Sequence, residues 1–254
     1  MDLNALLKDY KQMVENRIEE LFPEADCSYN EVIKAARYSL LNGGKRIRPV
    51  IMMEFCKLCG GKPEDALDFA VALEMIHTYS LIHDDLPCMD NDDMRRGKPS
   101  CHKAFGEDIA LLSGDALLTE AFFVASNARV SAEKRLNAIS FLSTNAGVHG
   151  MIGGQVLDLS FEENKPDAAA LQDMYMRKTG ALLIAAASIG CITAGKCDEE
   201  TLKSAAKYGY NLGLAFQIVD DILDVTANEE VLGKPVGSDD KNNKTTFVSL
   251  YGLS

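Results

Sequence analysis

The chain has 254 residues, 47% of them hydrophobic and 25% charged. That is enough apolar content for a sizeable core, and too ordinary a charge fraction for a disordered chain. The net charge of −12 excludes bulk electrostatic binding of nucleic acid, yet it permits an anionic substrate held by local arginines, lysines and metal ions.

In chain order the pattern is helix after helix. Leu3, Leu6, Leu7, Tyr10, Val14, Ile18 and Leu21 recur at helical spacing, and Pro23 stops that helix. Ser28 and Glu31 predict a capping box for a second helix through Leu41, closed by Gly43-Gly44. Pro49 suits the start of a third helix, which runs to Gly60-Gly61. Pro63 opens a long helix that reaches a group of aspartates, and Pro87 predicts its end at Leu86.

A loop rich in charge, Gly and Pro covers Asp90–Ser100. A helix follows from about Asp108 to Ala128, then another from about Ala132 into Met151–Leu159. Beyond the boundary at Pro166, Asp167–Thr193 and Asp198–Val225 read as helices separated by Gly195. Asn228–Asn243 reads as a loop, and Thr245–Leu253 begins another helix. No strand is expected, because apolar runs follow a period of about 3.6 rather than alternation. The expectation is an all-α, single-domain chain over 1–254.

The cysteines are odd in number, and Cys56/Cys59 has no second pair at zinc spacing, so thiols in a reducing cytosol are expected. The acidic, amphipathic start lacks the pattern of a signal peptide. No uninterrupted apolar run reaches the roughly 18 residues of a membrane span. A cytoplasmic protein without stable membrane insertion is therefore expected.

The chemistry concentrates in LIHDDLPCMDNDDMRRG, where Asp84, Asp85, Asp90, Asp92 and Asp93 precede Arg95 and Arg96. Crowded carboxylates need water or cations among them, and Mg²⁺ takes oxygen ligands from a few carboxylates and from substrate phosphates. Paired guanidinium groups suit phosphate. An EF-hand is excluded, because Arg95 falls where its register requires Glu or Gly.

A second acidic group lies in FQIVDDILD. Asp220 and Asp224 share a helix face and Asp221 flanks them. Lys45, Arg46 and Arg48 in GGKRIRP form a candidate anion clamp, and His77 lies about two turns before Asp84 on nearly the same face. Lys178-Thr179, Lys234 and Lys244 are weaker candidates, each equally explained as a solvated residue.

The segments GGKRIRP, LIHDDLPCMDNDDMRRGKPSCH, GGQVLDL, KTG, FQIVDDILD and GKPVGSD, in that order, resemble the trans-isoprenyl diphosphate synthases, in particular the bacterial farnesyl (geranyl-transferring) type. The resemblance implies long antiparallel helices around a central apolar cavity, a homodimer, and Mg²⁺ (about three ions with substrate bound). It implies metal ligands at Asp84, Asp85 and Asp90 and at Asp220, Asp221 and Asp224. It assigns Arg95, Lys178, Thr179, Gln217 and Lys234 to the allylic diphosphate, with Arg95, Lys178, Asp84, Asp85 and Asp220 central to catalysis. Lys45, Arg48, His77 and Arg96 go to isopentenyl diphosphate.

Tyr79 and Ser80, one turn before Asp84, are implied to limit product length, and Tyr79 favours a C15 product. A geranylgeranyl diphosphate synthase shares these motifs, and a non-catalytic subunit of a synthase is the alternative from another class. The family's chains are expected to continue beyond Ser254.

Overall fold

The computed structural model describes residues 2–226 and 245–252. The described residues are helical apart from loops and one short hairpin. They form two compact units, Met1–Ser140 with Ile189–Cys197, and Phe141–Ser188 with Asp198–Ser254. Each is taken by itself.

In the first unit, α1 (Leu3–Leu21), α2 (Asn30–Leu41), α3 (Ile47–Leu58) and α4 (Pro63–Asp84) surround an apolar core. Helix α4 is buried on nearly all sides, with Phe69, Leu73, Met75 and Ile76 fully enclosed. A central helix needs that apolar circumference. It packs most extensively on α6 (Glu107–Asn127) and then on α3. Pro63 stands at its first turn, where its missing N–H costs nothing, and Asp85 caps its far end. Pro87 acts as expected, and Asp90 returns from the following turn with its N–H on the Asp84 carbonyl at 2.9 Å.

Three expectations for this unit are corrected. The Ser28/Glu31 capping box does not form: α2 starts at Asn30 with no side-chain cap. The Asp90–Ser100 stretch contains an antiparallel hairpin, β1 (Met94–Arg95) with β2 (Lys98–Pro99). Its turn residues Arg96 and Gly97 have φ of 54° and 77°, the positive pair that a type I′ turn requires. Strands of two residues leave no alternation to detect. A short helix, α5 (Cys101–Phe105), then precedes α6.

Helix α6 is the one described helix long and apolar enough by composition to cross a membrane, with mean hydropathy 1.5 and 39% of that window buried. Asp115 and Glu120 interrupt its apolar run.

In the second unit, the helix expected to continue into Met151–Leu159 is broken. Helix α7 (Ala132–Ala146) ends, a turn covers 147–150, and α8 (Met151–Glu163) starts afresh. A Cβ at Gly150 would stand 2.0 Å from the Asn145 carbonyl oxygen, so that position of the turn has no room for a side chain.

Asp167–Thr193 is likewise not one α-helix. It comprises α9 (Ala168–Tyr175), a π-turn at Met176–Gly180, and α10 (Ala181–Ala194). The long α11 (Glu199–Thr226) lies so close that a Cβ at Gly213 would stand 2.7 Å from the Gly180 Cα. A final short helix, α12 (Phe247–Tyr251), is capped by Thr246. The small core of this unit joins Leu171, Met174 and Tyr175 with Leu157, Phe161 and Phe247. The expected loop Asn228–Asn243, with the candidates Lys234 and Lys244, lies outside the described residues.

Candidate active site

The first unit gathers the charges of four arginines around one histidine. Arg48 Nη1 and His77 Nε2 are 3.3 Å apart. Burial holds His77 well below its ordinary value of 6.5, and the charges of Arg48, Arg96, Arg46 and Arg95 press it further down, so the ring is neutral. Burial also draws Arg48 down; Glu74 opposes this and Arg96 adds to it. Arg48 nonetheless keeps its proton at neutral pH.

The hairpin docks on α2 through Tyr38 Oη donating to the Pro99 carbonyl at 2.8 Å and Asn42 Nδ2 to the Arg95 carbonyl at 3.2 Å. That docking brings Arg96 Nη1 to the Gly43 carbonyl at 3.1 Å. A Cβ at Gly44 would lie 2.9 Å from the same guanidinium nitrogen, and φ there is 102°. Gly43-Gly44 is therefore a seat for Arg96 rather than only a flexible hinge. Lys45 is exposed beside it.

The acidic residues separate by surroundings. Asp84 is half-buried at the end of α4, and Asp90 is exposed. Asp85 is only 2% exposed and lies under Arg95, whose Nε is 2.9 Å from Oδ1 while Nη2 bonds the same oxygen. Burial pushes the Asp85 carboxyl above the usual carboxylate range, and Arg95 pulls the other way. Burial opposes the charge on Arg95, but Asp85, Asp92 and Asp84 outweigh it and hold the guanidinium protonated. Asp92 and Asp93 are exposed, and Asp93 pairs with Lys103 at 2.8 Å.

One turn before Asp84, Tyr79 is buried, with its ring edge-on to His83 at 5.7 Å. Its hydroxyl is pushed up to about 12 by burial and by Asp84, and finds no hydrogen-bond partner among the described residues. Ser80 Oγ turns back to the His77 carbonyl at 2.9 Å.

In the second unit the π-turn carries Lys178 and Thr179. Extra turns of this kind recur at functional sites because they re-aim side chains. Lys178 Nζ donates to Asp158 Oδ2 at 2.6 Å, an ion pair the sequence reading did not find, although Asp158 stands in the quoted GGQVLDL. Gly154, in the same segment, makes room: a Cβ there would lie 2.1 Å from the Lys178 backbone nitrogen.

Thr179 Oγ1 donates to Gln217 Oε1 at 3.2 Å, and Gln217 Nε2 reaches Asp221 Oδ1 at 3.4 Å. The Asp221 carboxylate also accepts from Tyr175 Oη at 3.0 and 3.1 Å and from the Phe247 N–H at 2.8 Å. Asp221 and Asp224 are each 2% exposed, whereas Asp220 is exposed. The helix face that the spacing assigned to Asp220 and Asp224 is thus divided by burial.

Among the described residues no three His, Cys, Asp or Glu side chains gather closely enough to hold an ion by themselves. Asp84, Asp85 and Asp90 in the first unit, and Asp220, Asp221 and Asp224 in the second, are hard oxygen donors. They fit Mg²⁺, which completes its shell with water and substrate phosphate. Of these, Asp85 accepts from Arg95, and Asp221 accepts from Tyr175 and from the Phe247 N–H.

Comparison with known proteins adds the lineage. The polyprenyl synthetase family profile matches residues 30–254. A putative geranylgeranyl pyrophosphate synthase of Arabidopsis thaliana is 50% identical over 87% of this chain, which spans 63% of that protein's length. A farnesyl diphosphate synthase of Bacillus subtilis is 44% identical over 99% of this chain and 85% of its own.

Among solved structures, an FPP/GFPP synthase of Zymomonas mobilis superimposes with a TM-score of 0.89 at 36% identity, covering 99% of this chain and 86% of that one. A geranyltransferase of Helicobacter pylori, complexed with magnesium and isoprenyl diphosphate, gives 0.83 at 37%, covering 98% and 84%. The unmatched length of these relatives is not assigned to either end, so the expected shortness at the C-terminus is not evident from the matches. With its arginine–histidine cluster, its two aspartate groups and these relatives, the chain belongs to the polyprenyl synthetase family.

Proposed function

We propose that the protein is a trans-prenyltransferase. It joins isopentenyl diphosphate head to tail to dimethylallyl or geranyl diphosphate and makes farnesyl diphosphate. The observation that carries this reading is the Arg48–His77–Arg96 cluster, which concentrates positive charge in a protein of net charge −12. A cluster of that kind on a rigid helix and a docked hairpin suits a diphosphate, with Lys45 available from the surface.

On this reading Arg95 and Lys178 take the allylic diphosphate, with Thr179, Gln217 and Lys234 assisting. Asp84, Asp85 and Asp90 in the first motif, and Asp220, Asp221 and Asp224 in the second, are the residues that would hold Mg²⁺, which when bound offsets charge on the departing diphosphate. Arg95 and Lys178 would steady the leaving diphosphate as the allylic C–O bond ionises. Arg48, His77 and Arg96 would hold the double bond of isopentenyl diphosphate near that carbon. No side-chain base is assigned; the departing diphosphate takes the proton.

The product is set by Tyr79. It is the large aromatic one turn before Asp84, with Ser80 beside it. Geranylgeranyl diphosphate is the alternative product, favoured by the Arabidopsis relative. We read residues 1–254 as one synthase domain acting in the cytoplasm, with no nucleic-acid partner and no stable membrane insertion. A second copy of the chain is the partner that would cover Leu112 and Phe123, 52% and 62% exposed on α6.

Incubation with isopentenyl diphosphate and each allylic diphosphate, with and without Mg²⁺, tests the reading. C15 product that requires the metal is expected, and no condensation with any allylic partner would overturn it. Tyr79→Ala is expected to lengthen the product; an unchanged C15 distribution would remove Tyr79 from the chain-length role.

A further inference from the structure

The proposed roles leave Arg46 without one. It sits between Lys45 and Arg48, yet its side chain is fully buried and turned away from solvent. Its backbone is left-handed, with φ of 51°, a conformation that a long side chain adopts only when its surroundings impose it. Those surroundings come from three helices. Arg46 Nη1 donates to Glu74 Oε1 on α4 at 2.8 Å, Nη2 donates to the Leu40 carbonyl at the end of α2 at 2.7 Å, and Nη2 reaches Glu15 Oε1 on α1 at 3.4 Å.

Glu74 and His77 are three residues apart on α4 and so share a face. Two adjacent pairs result: Arg46 with Glu74 below, and Arg48 with His77 above. Glu74 is itself only 2% exposed and neutralises the lower arginine, while the upper pair keeps its positive charge because His77 is neutral.

We infer that Arg46, through Glu74, is a positioning residue for the anion clamp. It locks the turn between α2 and α3 so that Lys45 and Arg48 stand on either side of the bound diphosphate, without touching that diphosphate itself. The inference rests on the prenyltransferase reading for the identity of the ligand. The alternative is a staple that holds helices together and leaves substrate affinity alone.

Two variants separate these roles. Arg46→Met leaves Glu74 buried and unpaired and can fail to fold, whereas Arg46→Met/Glu74→Leu removes both charges together, a replacement that buried ion pairs often tolerate. Initial rates are measured with each substrate varied while the other is saturating, and isopentenyl diphosphate binding is titrated by calorimetry without an allylic partner. In the folded double variant, KM and Kd for isopentenyl diphosphate are expected to rise by about tenfold or more, with KM for the allylic substrate within about twofold.

An unchanged constant for isopentenyl diphosphate in that variant overturns the inference, and so does an equal rise for both substrates. Arg48→Ala is the control for the underlying reading. If it leaves isopentenyl diphosphate binding intact, or if the wild type does not bind that compound, the ligand assignment itself fails. Binding without turnover would sink the prenyltransferase reading and leave the positioning role standing.

Discussion

Asp84 and Asp221 carry the same carboxylate into opposite surroundings. Asp84 is reachable from solvent at a helix end, whereas Asp221 is enclosed and accepts from Tyr175, Gln217 and the Phe247 backbone. Asp84→Asn should therefore lower turnover by about 100-fold or more while leaving the thermal midpoint in place. Asp221→Asn turns an NH₂ group toward existing donors and should cost about 1–3 kcal/mol of stability, read by urea unfolding. Equal loss of stability in both variants would contradict the division.

His77 makes a pH prediction. Its folded value lies below the unfolded 6.5, so between the two the unfolded chain binds the extra proton. Stability should therefore fall as pH drops below about 6.5, and His77→Gln should flatten that part of the profile. Arg48, Arg96 and Arg95, whose charges act on it, stay protonated across that range, and Glu74 accepts a hydrogen bond from Arg46. A slope unchanged in the variant would assign it to other groups.

At the scale of elements, the π-turn and the hairpin do the aiming. Arg96 reaches Gly43 only because the hairpin is docked on α2, and Lys178 meets Asp158 from a π-turn packed against Gly154. Gly154→Ala would place its Cβ 2.1 Å from a backbone nitrogen that has no side-chain freedom to yield. A loss of about 1–3 kcal/mol is expected from such overpacking, together with lower activity, and an unaltered unfolding midpoint would contradict the close approach.

For the whole molecule, the proposed association of two copies is tested at the exposed apolar residues of α6. Leu112 and Phe123 lie three turns apart on one side of the helix, with Asp115 and Thr119 exposed between them. Light scattering should give a mass of about twice 27.7 kDa for the wild type, and Phe123→Asp should shift it toward a single chain. A monomeric wild type would remove the second copy from the proposal.

Helical periodicity was enough to determine the all-α fold, the long helix that delivers Asp84, and the two aspartate groups, because burial of an apolar face leaves a regular imprint on the chain. Residue order alone also singled out Lys45, Arg48, His77, Arg95 and Arg96. Only the tertiary structure decided how deeply each carboxylate is buried. Neighbouring aspartates are chemically identical in sequence, and what separates Asp220 from Asp221, or Asp90 from Asp85, is depth of burial, which the packing of the rest of the same unit decides. The hairpin, the π-turn and the burial of Arg46 are of the same kind: each spans too few residues to show a period, and each depends on contacts between residues distant along the chain.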